Sequence, residues 1–242
     1  TAPSATAPAA PRALNAAGYA SGAIAPGEIL AIFGSALGPD TPVGLTSVNA
    51  GVVDTVLARS RVLFDGVPAP VLFTSSKQLN VVTPYAVAGK RSVQVVTEYL
   101  GVPAAPVSIP IAASAPGIFA ANGSGTGQGA ILNEDGSANS ADNPALKGSI
   151  VVIFATGEGQ TNPAGLDGKL AGTPLPAPVL PVTVTVNNQA AEVLYQGAAP
   201  GLVAGVLQVN VRLPADTLSG NNAILCKVGS ASSQPGVTVA IR

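Results

Sequence analysis

The chain contains the same domain-sized pattern twice. QLNVVTP at residues 78–84 returns as QVNVRLP at residues 208–214, so a Gln-apolar-Asn-Val motif that ends in proline recurs after 130 positions. The flanking sequence repeats as well, because VLFDGVPAPVLF at 62–73 aligns with VTVNNQAAEVLY at 184–195 at an offset of 122. The change of offset from 122 to 130 places an insertion of eight residues within QGAAPGLVAGV, residues 196–206. A period of about 125 residues has the size of a domain, so the sequence predicts a tandem pair of similar domains.

Two further blocks follow the same order. PGEILAIFGSALGP (26–39) aligns with KGSIVVIFATGEGQ (147–160) at an offset of 121, and VSIPIA (107–112) aligns with VTVAIR (237–242) at an offset of 130. We therefore divide the chain into an extended Ala/Pro-rich segment at 1–13, a first domain at 14–112, a hairpin-containing connector at 113–146 and a second domain at 147–242.

Short apolar runs separated by Gly, Pro, Asn and Asp fill both halves. No stretch of ten or more residues carries a 3.6-residue apolar repeat free of Gly and Pro, so long helices are not expected. Six or seven short strands per copy with frequent turn residues are typical of a β-sandwich. We therefore predict an all-β fold of two tandem immunoglobulin-like antiparallel β-sandwiches. Strands are expected near residues 28–34, 61–65, 69–74, 78–83, 91–97, 106–112, 149–155, 182–187, 190–195, 206–212, 223–228 and 236–241.

The repeated motif has the alternation of a strand with one buried face. Its proline would end the strand where no ladder donor is needed. Within the neighbouring block, Asp65-Gly66 and Asn187-Asn188 stand at matching positions, and both suit a two-residue hairpin turn that needs positive φ. The residues expected to face the core are Leu79, Val81, Val209 and Val211, and those expected on the other face are Gln78, Asn80, Gln208 and Asn210.

Several blocks resemble a known module. They are NAAGYASGAIAPGEILAIFGSALGP (15–39), APGIFAANGSGTGQGAILNEDGSANSADNPALKGSIVVIFATGEGQT (115–161), AAEVLYQGAAPGLVAGVLQVNVRLP (190–214) and SSQPGVTVAIR (232–242). Across about residues 14–242 the chain is similar to the uncharacterised C-terminal domain family named after Solibacter, which is abundant in secreted acidobacterial proteins. That family has no established activity, so the resemblance implies no functional residue. More distantly, the 26–39 and 62–73 blocks resemble the opening of an IPT/TIG domain, which implies an immunoglobulin-like fold but no function.

Composition restricts the possible partners and compartments. The net charge is −1 from 11 basic and 12 acidic residues without a basic run, which argues against a nucleic-acid surface. The apolar stretches are broken well before 18 residues, so no membrane span is predicted. A low charge content, no Met or Trp, and a start at Thr1 favour an exported protein whose leader has been removed, although a trimmed chain would look the same. The single cysteine, Cys226, is expected to be a small buried strand residue; an intermolecular disulfide is the alternative.

The sequence offers few groups for catalysis. It has no histidine and one cysteine, which excludes His-based triads and His- or Cys-ligated zinc. The glycine run at 123–129 is expected to be a flexible interdomain loop, because no strand–helix context or P-loop lysine accompanies it. We therefore predict a non-enzymatic protein with no catalytic, cofactor-binding or metal-binding residues and no cofactor. The carboxylates that could still serve a glycosidase are Glu28, Asp40, Asp54, Asp65, Glu98, Glu158, Asp167 and Glu192.

Glu158 is the most suggestive of these carboxylates because glycines flank it at the end of a strand, yet a solvated loop position is the expectation. Carbohydrate sites usually offer aromatic platforms, and Tyr195 aligns with Phe73 and is expected in the core. The remaining tyrosines are Tyr19, Tyr85 and Tyr99. A calcium site at 133–142 is the alternative to a simple turn at Glu134-Asp135-Gly136, and its oxygen ligands would be Asn133, Glu134, Asp135, Asn139 and Asp142.

The resulting hypothesis is a secreted structural protein of the cell surface or extracellular matrix. Exposed sheet edges and a sparsely charged surface favour self-association. Residues 1–12 could dock on a neighbouring copy and propagate a head-to-tail filament, or a ring if the rotation closes. The alternatives are an extracellular polysaccharide-binding or adhesion module and, more remotely, a glycan-active enzyme that uses Glu158 and a second carboxylate.

Overall fold

The structure is a computed structural model and describes residues 11–45 and 48–242. Within these ranges the chain is all-β apart from one short 3-10 turn at Tyr85–Val87. That turn is too short to cross a membrane, and the described residues include no helix that could do so. The strands are β1 (Arg12–Asn15), β2 (Ile29–Phe33), β3 (Val43–Gly44), β4 (Ser60–Phe64), β5 (Val67–Pro68), β6 (Val71–Thr74), β7 (Gln78–Val82), β8 (Ser92–Tyr99), β9 (Val102–Pro103), β10 (Val107–Pro110), β11 (Gly117–Ile118), β12 (Gly127–Gln128), β13 (Ile131–Asn133), β14 (Ile150–Thr156), β15 (Thr161–Asn162), β16 (Ala177–Pro178), β17 (Val182–Val186), β18 (Gln189–Ala198), β19 (Leu207–Arg212), β20 (Gly220–Val228), β21 (Ala231–Ser232) and β22 (Val237–Ile241).

The first repeat is a sandwich of two sheets. One sheet has the order β1-β2-β7-β6-β3, and the other has the order β10-β8-β4-β5 with β9 at the edge of β8. The main ladders are antiparallel. The alternating apolar side chains meet between the sheets, and Leu30, Phe64, Leu79 and Val81 are each 0% exposed there.

The second repeat has the same strand order but joins its two sheets through one long strand. Strand β18 pairs with β19 in one sheet and with β17 in the other, so a single hydrogen-bonded path runs β11-β14-β19-β18-β17-β20-β22-β12. In the first repeat the equivalent stretch is split into β5 and β6 around Pro70, which aligns with Glu192. Proline has no N–H to donate, so the ladder is interrupted at that position.

Fine details show that both repeats fold in the same way. The β6–β7 ladder shifts register between Val71 and Phe73, and the β18–β19 ladder shifts between the matching residues Val193 and Tyr195. Gln78 Nε2 donates to Asn80 Oδ1 at 2.8 Å. The second copy of the motif makes the same bond at 2.9 Å. The sequence letters repeat because the same strand is built twice.

The predicted turns and core faces are confirmed. Asp65 has φ 47° and Gly66 has φ 84°, while Asn187 and Asn188 have φ 47° and 66°. The four motif residues expected in the core are fully buried and Cys226 is also 0% exposed, whereas the Gln and Asn side chains are half-buried. Tyr195, expected in the core, is only half-buried and its hydroxyl donates to the Ala198 carbonyl at 2.8 Å.

Residues 113–146, the stretch predicted to join the domains, contribute strands to the second sandwich. Strands β11 and β13 pair with β14, and β12 pairs in parallel with β22. The glycine run at 123–129 is therefore not a free interdomain loop, because β12 lies inside it. Strand β13 is the counterpart of β1, since Leu132 pairs with Val152 and Leu14 pairs with the equivalent Ala31. In the sequence, this correspondence is visible only as the similarity of ALN at residues 13–15 to ILN at residues 131–133.

The repeats pack directly against each other. Val53 N donates to the Gly168 carbonyl and Leu170 N donates to the Gly51 carbonyl, both at 2.8 Å. Ile29 N, at the start of β2, donates to Thr156 Oγ1 at the end of β14, also at 2.8 Å. Backbone and side-chain hydrogen bonds therefore fix the second repeat against the first.

Candidate binding site at the junction of the repeats

A cavity of about 350 Å³ lies where the second repeat meets the first. Its wall comes mainly from two parts of the second repeat, the segment between β14 and β17 and the stretch at 196–206 that carries the eight-residue insertion. Tyr85 of the first repeat completes the wall. The lining is mostly Pro, Ala and Leu, and its polar members are Tyr85, Glu158, Thr161, Lys169 and Thr173.

Glu158 is placed at this cavity by two glycines with positive φ. Gly157 has φ 84° and Gly159 has φ 79°. A Cβ atom on either would lie 2.0 Å from a backbone carbonyl oxygen, that of Ala115 or of Ala113. Side chains larger than hydrogen therefore cannot be accommodated without moving the backbone, and the TGEG turn needs both glycines.

Glu158 itself is buried. Its residue is 3% exposed, so the expectation of a solvated loop carboxylate is wrong. Among the described residues, its Oε2 atom has no hydrogen-bond partner. Burial raises the pKa of Glu158 to about 7, although backbone N–H groups and the Tyr85 hydroxyl favour the ionised form. Burial dominates because it removes the carboxylate from water more effectively than these donors replace water.

Glu28 forms a second buried carboxyl beside Glu158. Its Oε1 accepts a hydrogen bond from Asn15 Nδ2 at 2.8 Å, and its Oε2 accepts one from Ala25 N at 2.7 Å. Burial raises the pKa of Glu28 to about 8, against these two hydrogen bonds, and the negative charge of Glu158 adds to the increase. Both oxygens of Glu28 are thus occupied by the protein.

Tyr85 joins the two repeats at the cavity. It follows the proline that ends the first copy of the repeated motif, whereas the second copy has Ala215 at the equivalent place. Its backbone N donates to Asp167 Oδ1 at 2.8 Å, and its carbonyl accepts from Gln160 Nε2 at 3.0 Å. Burial and the nearby charges of Glu158 and Asp167 raise the pKa of the Tyr85 phenol, so the hydroxyl stays protonated. Burial likewise raises the pKa of Asp167.

This arrangement suits binding better than hydrolysis. A glycosidase needs two carboxyl groups that both face the substrate. Glu28 is 1% exposed with both oxygens hydrogen-bonded, and Asp167 is not among the lining residues. Among the described residues, Glu158 alone brings a carboxyl group to the cavity lining.

The other sequence candidates are not gathered at this site. Asp65 lies in the hairpin turn with Gly66. Its Oδ1 accepts a hydrogen bond from Gln94 N, and its Oδ2 pairs with Lys90 Nζ at 2.7 Å. Glu98 pairs with Arg61 and Glu192 with Arg212, at 2.7 and 3.1 Å. Asp54 accepts from Asn49 Nδ2.

The expected turn at 134–136 is present, with Asn133 N donating to the Ser137 carbonyl at 2.8 Å. The oxygens considered for calcium are largely engaged there. Asp135 Oδ1 accepts from Ser137, and Asn139 Oδ1 accepts from Ala240 N at 2.8 Å. Within residues 11–45 and 48–242, no group of three or more Asp, Glu, Cys or His side chains is arranged to hold a metal ion.

Comparisons with known proteins agree with the fold. Residues 19–103 match the model of the IPT/TIG domain, which confirms the more distant of the two resemblances for the first repeat. The match does not extend to the Solibacter-named family, so membership of that family stays a prediction from the sequence. The protein is thus a pair of tandem immunoglobulin-like sandwiches, of a class that typically serves as binding or structural modules.

Among solved structures, a chimeric titin Z1Z2-Z1Z2 tandem functionalised with a GRGDS peptide from fibronectin has a TM-score of 0.22 and 11% identity over 96% of each chain. The tandem Ig repeats of Dlar have a TM-score of 0.21 and 13% identity, over 98% of this chain and 99% of that one. No match was found among curated proteins. The fold assignment therefore depends on the strand topology and the domain match.

Proposed function

We propose that the protein is a secreted, non-enzymatic structural module of the cell surface or extracellular matrix. The observation that carries this proposal is the junction of the repeats, where hydrogen bonds join the first sandwich to the end of β14 and to the segment at residues 167–170. A pair of sandwiches held in this way behaves as one stiff unit, which is what a spacer or scaffold requires. The sparse charge and the likeness to IPT/TIG domains support the same function.

The finer hypothesis of a filament depends on residues 1–12, and residues 1–10 lie outside the described part of the chain. The hypothesis is supported by the sequence of that segment and by the sheet edges of the first repeat, where β3, β5 and β10 end their sheets. An edge strand can add an extended segment of a neighbouring copy.

Negative-stain microscopy and analytical ultracentrifugation of the full chain test this hypothesis. Filaments or rings are expected for the full chain, and folded monomers after deletion of residues 1–12. Unchanged assembly without the segment, or a monomeric full chain at high concentration, would contradict it.

The second candidate is an extracellular polysaccharide-binding or adhesion module. The observation in its favour is the cavity at the junction, but Tyr85, the aromatic side chain among its described lining residues, is 8% exposed and offers little stacking surface. Glycan-array binding without turnover would favour this candidate over the structural one.

A further inference from the structure

Because the fold occurs twice, the position of Glu158 can be compared with the equivalent position in the first repeat. Glu158 aligns with Leu37 of the first repeat, which is 3% exposed and part of the apolar core. The same turn of the same fold therefore accepts an apolar side chain at this position. A buried carboxyl with an unpaired oxygen destabilises a protein by an amount that leucine would avoid. The carboxyl of Glu158 is thus not required by the sandwich itself.

Three further features of the junction also lie where the repeats differ. Tyr85 corresponds to Ala215, and Glu28 corresponds to Ser149. Ala204, in the eight-residue insertion, lines the cavity. Gly205 of the same insertion would place a Cβ 2.2 Å from the Gly27 carbonyl oxygen, so the insertion lies directly on the first repeat. The two copies have thus diverged at Glu158, at the neighbouring Glu28 and Tyr85, and at the insertion.

The chemistry of the cavity restricts what it can hold. Its wall is apolar over most of its area and includes Leu166, Leu170 and Ala198, so it favours an apolar body. Its buried polar end is the Glu158 carboxyl, whose Oε2 atom has no hydrogen-bond partner among the described residues. Glu28 lies beside this end and interacts with its charge, Asp167 acts on the neighbouring Tyr85, and the exposed Lys169 lies in the lining. An acidic end with a free acceptor favours a cationic donor.

We propose that the cavity at the junction of the repeats is a binding site for a small organic cation, in which a primary ammonium group donates to the Glu158 carboxylate and an apolar body contacts the Pro, Ala and Leu wall. The site is independent of any assembly through the N-terminal segment. Binding places a cation beside a buried carboxylate whose charge backbone N–H groups and the Tyr85 hydroxyl stabilise only in part, and forms a hydrogen-bonded ion pair.

Titration calorimetry with hexylammonium chloride tests the proposal, with hexan-1-ol and hexanoate as matched probes of the same chain length. One binding site is expected for hexylammonium, weaker binding for hexanol and none for hexanoate. Because the ammonium needs the ionised carboxylate, the affinity should be about tenfold lower at about pH 6 than at about pH 8. Failure of hexylammonium to bind at about 10 mM, or hexanol binding equally well, would overturn the proposal.

Two variants locate the site. Glu158→Gln should weaken hexylammonium binding by about 10-fold to 100-fold and remove its pH dependence, whereas Glu192→Gln, in an exposed ion pair, should leave both unchanged. Gly172→Leu tests the cavity while keeping the carboxyl, because a Cβ at this lining position meets no atom within 4 Å. It should also reduce binding. Unchanged binding in Gly172→Leu overturns the placement, even if Glu158→Gln does not fold.

Discussion

At the residue scale, the junction of the repeats depends on carboxyl groups that are buried as acids. Glu28 and Glu158 are 1% and 3% exposed, and burial raises their pKa values to about 8 and about 7. In the unfolded chain both groups would titrate near the ordinary glutamate pKa of about 4.3. The folded protein therefore holds more protons than the unfolded chain over the interval between these values.

This difference predicts how stability depends on pH. Because the folded pKa values are raised, the stabilisation of the protonated acids is complete below about pH 4 and is lost as pH rises through about 7 and 8. We expect the melting temperature to fall from about pH 5 to about pH 8 and then to level off. Differential scanning calorimetry across this pH range measures the melting temperature.

The control for this prediction is a pair of variants. Glu158→Gln should flatten the decline, and Glu192→Gln, whose side chain is 64% exposed, should leave it unchanged. A melting temperature that rises between about pH 5 and about pH 8 would show that the two acids are ionised in the folded protein.

At the element scale, one side chain replaces part of a β-ladder. The Asn139 amide donates to the Ala240 carbonyl of β22 at 2.9 Å and accepts from Ala240 N at 2.8 Å. It also donates to Asn133 Oδ1 and accepts from Gln128 Nε2, both at 2.9 Å. The segment before the second domain is thereby attached to the last strand of the chain, which the sequence did not indicate.

Asn139→Ala should destabilise the protein by about 2–4 kcal/mol, because it removes the side-chain acceptor of the Ala240 N–H and leaves the Ala240 carbonyl with Ala145 N as its donor. Denaturant unfolding measures the change. Asn122→Ala provides the control, since Asn122 is exposed and accepts one hydrogen bond from Ser124 N, and it should cost less than about 1 kcal/mol. Equal effects of the two substitutions would show that the Asn139 contacts contribute little.

At the scale of the whole molecule, the two repeats should unfold together. Thr156 Oγ1 accepts from Ile29 N of the first repeat at 2.8 Å and donates to the Gly205 carbonyl of the insertion at 2.7 Å. Its residue is 0% exposed. With this and the other junction contacts intact, we expect a single cooperative transition.

Thr156→Val keeps the shape of the side chain but removes both hydrogen bonds. We expect the substitution to weaken the free energy of interaction between the repeats by about 2–4 kcal/mol. The two repeats should then unfold in two resolved transitions in calorimetry. Thr126→Val, at an exposed position, serves as the control and should preserve a single transition. A single transition in Thr156→Val with an unchanged midpoint would contradict the proposed coupling.

The sequence by itself determined the sandwich fold and its duplication. Strand period, turn dipeptides and the Gln-Asn motif are local patterns, and each repeats at a nearly constant offset, so they could be recognised without knowing which surfaces meet. Strand bounds such as Gln78–Val82 and Val182–Val186 fall within a residue or so of those predicted. The insertion at 196–206 was also located, though not its role.

Only the tertiary structure decided where the site lies. Glu28, Tyr85 and Glu158 are far apart in the chain, and their burial depends on how one sandwich packs on the other. The sequence therefore predicted a solvated loop position for Glu158. Glycines beside a carboxylate indicate a turn, but they do not indicate whether another part of the protein buries that turn. The cavity, its unpaired carboxyl oxygen and the raised pKa values arise from contacts between the repeats, which no local pattern in either repeat specifies.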